Sequence, residues 1–165
     1  MPMKLKRKKP HLPKIHLMSH STDAKPVTAA GGILVRYSSL GGEVPQVLMI
    51  YRNGYWDLPK GKLEAPETIA MCAVREVAEE VGSSIPAIIK KVGTTYHEYP
   101  ENGIVIGKTT HWYSMIFTKD EAFIPQEKEG IEKVEWVPLN EAISKAGFEN
   151  LIEILLKAFP KYSRK

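Results

Sequence analysis

The chain has 165 residues, the length of one ordinary domain and enough to bury a sizeable core. With 43% hydrophobic and 25% charged residues, its composition excludes a disordered or fibrous class. The net charge of +4 is uneven: residues 1–26 carry +6 and the remainder −2, so the basic balance says little about what the rest of the chain binds.

Residues 1–26 combine Pro2, Pro10, Pro13 and Pro26 with lysines and show no sustained periodicity. They are read as a basic, disordered arm, a solvated tail first and otherwise the one place where RNA or another anionic surface could be attracted. A single domain is expected over residues 27–165. No apolar run approaches the roughly 18 residues of a membrane span, so no membrane partner is expected. The single cysteine, Cys72, cannot form an internal disulfide; this suits a reducing compartment, and the expected location is the cytoplasm.

Val27 to Tyr37 and Val44 to Arg52 read as strands joined by the turn-rich Ser38-Ser39-Leu40-Gly41-Gly42, and Asn53 to Pro66 as a loop. Pro66 suits the first turn of a helix and Gly82 a left-handed C-terminal cap, so a helix is expected from Pro66 to Val81, with Ala70, Val74, Val77 and Val81 inward. Ile88 to Tyr99 and Ile104 to Thr118 form a predicted hairpin around Asn102-Gly103. Ile131 to Val137 reads as a strand. Glu149 to Phe159 reads as an amphipathic helix burying Leu151, Ile152, Leu155, Leu156 and Phe159.

Glu76, Glu79 and Glu80 stand at i, i+3 and i+4 on the middle helix, where like charges repel, and the cluster therefore asks for a cationic partner. An oxygen-only set without His or Cys favours Mg²⁺, with Mn²⁺ as the substitute, over zinc.

Upstream of these residues, Gly61 is followed after five residues by Glu67 and after seven more by Arg75-Glu76-Val77-Ala78-Glu79-Glu80-Val81-Gly82. This resembles the Nudix box, and all seven fixed positions match; chance would give such a match in fewer than about one in a million chains. Ser83 departs from the usual apolar residue. Trp56-Asp57-Leu58-Pro59-Lys60-Gly61-Lys62 and Ala29-Ala30-Gly31-Gly32 resemble the family's loop before the catalytic helix and its first strand.

The resemblance implies an α+β fold, an α/β/α sandwich with a mixed sheet. It also implies hydrolysis of a nucleoside diphosphate linked to another moiety. Glu76, Glu79 and Glu80, with the Gly61 carbonyl, would hold the metal. Arg75 and Glu67 would pair to position loop and helix, and the water-activating base would be Glu76, Glu127 or Glu129.

Arg52, Trp56, Lys60, Lys62 and Tyr99 are expected to meet a small phosphorylated substrate. Lys90, Lys91 and Lys108 could add charge along a phosphate chain, and His97 or His111 could meet a base. The lysine-flanked Gly61 resembles the loop of diadenosine and diphosphoinositol polyphosphate hydrolases, and the position of Tyr99 resembles dinucleoside polyphosphate hydrolases, of which a diadenosine tetraphosphate hydrolase is one. ADP-ribose, NDP-sugar or oxidised-nucleotide pyrophosphatases, and a non-cleaving nucleotide- or RNA-binding module, are the alternatives.

Overall fold

The computed structural model describes residues 23–37 and 44–163. The chain order is β1 (Lys25–Arg36), β2 (Gln46–Arg52), β3 (Tyr55–Asp57), β4 (Lys60–Lys62), α1 (Ile69–Val81), β5 (Ala87–Glu101), β6 (Ile104–Ile116), β7 (Ile131–Pro138), α2 (Leu139–Lys145) and α3 (Glu149–Ala158). β1 takes in Lys25 and Pro26, so the expected arm reaches two residues into the sheet, and residues 1–22 of that arm lie outside the described residues. The predicted turn over residues 38–42 also lies outside them.

The strands form one mixed seven-stranded sheet in the order β3-β2-β1-β6-β5, with β4 added to β1 and β7 to β2. β1 is central because it serves three neighbours. Ala29–Gly31 in its middle pair antiparallel with β4, its end pairs antiparallel with β2, and most of its length lies parallel to β6. Side-chain alternation then sends Ala30 and Leu34 to one face of the sheet, where they pack with Val77 and Val81 of α1. Ile33 goes to the other face, against Leu139 of α2 and Leu151 and Leu155 of α3. Helices therefore cover both faces, as expected. Among the described residues, no helix is long and apolar enough to cross a membrane.

The expected loop over residues 53–66 contains β3 and β4, and three readings of the helices also need correction. The helix begins at Ile69 rather than Pro66, because Thr68 stays extended and its hydroxyl accepts from the Met71 amide at 3.2 Å as an N-cap. Its buried residues are Cys72, Ala73, Val77, Glu80 and Val81, while Ala70 and Val74 stay half-buried. The helix is turned so that Cys72 meets the β4 backbone, its thiol lying 3.6 Å from the Gly61 carbonyl. In α3, Leu151, Ile154 and Leu155 are buried and Ile152 and Leu156 only half-buried, since the face against the sheet is narrower than the apolar stripe.

Candidate active site

α1 and the β3–β4 segment meet at Gly61. The Glu76 carboxylate lies so close to the Gly61 backbone that a Cβ there would collide with it, which explains glycine at this position. Arg75 joins the pieces. Its Nε and Nη2 donate to Glu67 at 2.9 and 2.6 Å, and Nη2 also donates to the Lys62 carbonyl at 3.1 Å. Nη1 reaches Glu76 at 2.9 Å and Glu79 at 3.2 Å. Hydrogen bonds from Arg75 hold the Glu67 carboxyl down to about 2. Burial pushes the Cys72 thiol up to about 12, so it is an inert core group.

Glu80 turns away from this cluster. It is buried, accepts from the Lys60 amide at 3.0 Å, and faces Arg52 Nη1 at 3.4 Å. Burial outweighs these cations and pushes its carboxyl up to about 7; burial also raises Glu76. Among the described residues, no three carboxylate, imidazole or thiol groups already converge on a point that could hold a metal ion. Glu76 and Glu79 are gathered by Arg75, and Glu80 by Arg52 and Lys60. The donor set still fits a hard divalent cation, since it offers only oxygen atoms and brings Glu76 against Gly61.

On the other side of Lys60 opens a cleft of about 690 Å³. Its floor is the β5–β6 ladder, where Thr95 lies opposite Thr110 and His97 opposite Lys108. Tyr99 and Glu101 continue it, and Tyr55 and Phe148 contribute from β3 and the start of α3. Arg52, Lys60 and Lys62 line the cleft. Asp57 binds Lys60 Nζ at 2.6 Å and Arg52 Nη2 at 3.6 Å, so a buried carboxylate anchors two of these cations.

Tyr99 lines the cleft, as does Glu129, which sits in a short 3₁₀ turn; Glu127 of the same turn does not. Trp56 is not part of the lining. The alternation of β3 points Tyr55 and Asp57 into the cleft and turns Trp56 to the opposite face, against Tyr51 at 5.1 Å with Lys145 at 5.4 Å. Lys108 and His97 line it, whereas Lys90, Lys91 and His111 do not; Nδ1 of His111 is buried without a hydrogen-bond partner. Asp57, Thr95, Phe148 and Asn150 were not singled out from the sequence.

Residues 27–158 match the family model described as the NUDIX domain, and the chain belongs to that family. An 8-oxo-(d)GTP phosphatase of Mycolicibacterium smegmatis is 28% identical over 137 residues, covering 78% of this chain and 40% of that protein. The chain thus spans well under half the length of this curated relative. Among solved structures, a Caenorhabditis elegans Ap4A hydrolase superposes with a TM-score of 0.60 at 20% identity, covering 82% of this chain and 98% of the other. The NUDIX domain of Shewanella oneidensis NrtR, solved with ADP ribose, gives 0.64 at 19% identity, covering 83% and 88%. At such identities the structural likeness speaks for the fold.

Proposed function

We propose that this chain is a Mg²⁺-dependent hydrolase, with Mn²⁺ as substitute, that cleaves a phosphoanhydride bond of a nucleoside diphosphate derivative and prefers dinucleoside polyphosphates such as diadenosine tetraphosphate. The observation that carries this reading is a single cleft with two separate aromatic pairs. Tyr55 and Phe148 lie 5.4 Å apart, and His97 and Tyr99 stack at 5.8 Å, with Arg52, Lys60 and Lys62 lining the same cleft. Two flat surfaces and a run of cations suit two bases joined by a phosphate chain.

Glu76, Glu79, Glu80 and the Gly61 carbonyl would hold the metal, which when bound neutralises charge on the phosphate oxygens. Arg75 and Glu67 fix the β4 strand against α1 and so set the height of Gly61. Arg52 and Lys60, themselves oriented by Asp57, hold the phosphates still. A water oxygen attacks phosphorus as the bridging P–O bond breaks, and the water's proton passes to a carboxylate. Glu129 is the better placed of the two late glutamates, because it faces the cleft, and Glu76 is the other candidate.

The Shewanella neighbour favours a second reading, cleavage or simple binding of ADP-ribose-like molecules. Every box glutamate is present, which argues for cleavage. A cytoplasmic site of action suits the lone buried cysteine. The test is a panel of diadenosine tetraphosphate, ADP-ribose, NDP-sugars and oxidised dNTPs incubated with purified protein and Mg²⁺. Fastest turnover of the dinucleotide is expected. Faster ADP-ribose turnover would shift the substrate class, and no turnover would leave a binding module.

A further inference from the structure

Three cations that line the cleft already face an acid of the protein. Arg52 lies 3.4 Å from Glu80, Lys60 2.6 Å from Asp57, and Lys62 3.9 Å from Glu101. Lys108 differs. It rises from β6 opposite His97, is half-buried, and among the described residues forms no ion pair; its ammonium lies 5.3 Å from the Tyr99 ring centre. A lysine that merely packs its stem would extend its charge to solvent. This one lines a cleft shared with Arg52, Lys60 and Lys62, and no carboxylate among the described residues lies within ion-pair distance of it.

The neighbouring row supplies further donors. Trp112 Nε1 donates to the Thr95 hydroxyl at 2.8 Å, a bond that does not use that hydroxyl's own hydrogen, and Thr110 stands across from it; both threonines line the cleft. An unpaired ammonium, an imidazole and hydroxyls on two adjacent rows of one sheet match the oxygens of a phosphate group. Burial draws both Lys108 and His97 below their usual ranges, in keeping with a positive charge not yet balanced.

We infer that Lys108, with His97 beside it, binds a phosphate lying beyond the anhydride that is cleaved, and so selects for substrates with three or more phosphates. The inference rests on the reading that the cleft takes a phosphate chain, and it makes chain length a property of this one cross-strand pair.

Calorimetric titration of the full chain with inorganic tripolyphosphate and with pyrophosphate, in Mg²⁺, tests it without turnover. Wild type should prefer tripolyphosphate; Lys108→Met and Lys108→Gln should each reduce that preference about tenfold or more, and Lys108→Arg should keep most of it. In parallel assays, the ratio of kcat/KM for diadenosine tetraphosphate over ADP-ribose should fall similarly in Lys108→Met, mainly through KM. A wild type without the preference, or variants that retain it in full, would overturn the proposal. Absence of turnover on every substrate would count against the hydrolase reading alone, because the phosphate preference is read by binding.

Discussion

The Glu80 carboxylate occupies the most buried acidic position of the box, and its charge is the one the protein alone supports least well. Glu80→Gln keeps the shape and removes the charge. Turnover should fall by two or more orders of magnitude, since an amide oxygen serves a divalent cation poorly. In EDTA the opposite is expected for stability. With the folded carboxyl at about 7 against 4.5 when unfolded, ionisation destabilises the fold as pH rises across that interval, so the amide should raise the melting temperature at pH 8 and have little effect near pH 4.5. Near-normal turnover would show that Glu80 is not a ligand. Glu67 has the reverse sign. Its carboxyl is held at about 2 by Arg75, so the stability it contributes is present above 4.5 and is lost as pH falls toward 2. Urea midpoints measured from pH 6 to pH 2.5 should fall less steeply in Glu67→Gln. The box residues were legible because their spacing is local to one helix and the turn before it. Asp57 was not, because its meaning depends on which face of a three-residue strand meets a partner far along the chain.

At the level of elements, the Asn102-Gly103 turn was read correctly, with both residues at positive φ of 50° and 77°. Asn53-Gly54 carries the same signal, at 51° and 81°, and folds β2 onto β3 where a loop was expected. The adjoining strand is only three residues long, too short for its alternation to stand out. α2 was missed for a similar reason: seven residues following Pro138 contain just two buried positions, Leu139 and Ala142. The C-terminal end of α1 does more than stop a helix. Gly82, at φ 67°, lies beneath the Ile124 backbone, where the chain returns from β6 toward Glu129. Ile124 donates to the Val81 carbonyl at 3.0 Å and Gln126 to that of Glu80 at 3.2 Å, and Ser84 is hydrogen-bonded to Glu121. Gly82→Ala meets both an unfavourable backbone angle and a collision with Ile124. A loss of about 1–3 kcal/mol in urea unfolding is expected, with a fall in kcat if Glu129 is the base. An unchanged unfolding midpoint would show that the return segment yields freely.

On the scale of the whole molecule, the family resemblance anticipated a mixed sheet between helices, and the sheet order shows how it is achieved. β1 is buried in the middle, and the strands that flank the cleft, β3–β4 on one side and β5–β6 on the other, reach it through that one strand or its immediate neighbours. Composition and periodicity carry no information about such long-range pairing, so it was the family resemblance, and not the patterning, that set Tyr99 with Arg52, Lys60 and Lys62. The parallel pairing also bears on how the protein is made. Lys25 finds Ile106 and Leu34 finds Met115, partners about 80 residues apart in the chain. At synthesis rates of roughly 5–20 residues per second, β1 leaves the ribosome about 4–16 s before its longest partner is available. During that interval β1 can meet only β2 and β4, and the edge that later takes β6 stays open, which exposes this strand of the nascent chain to wrong pairing.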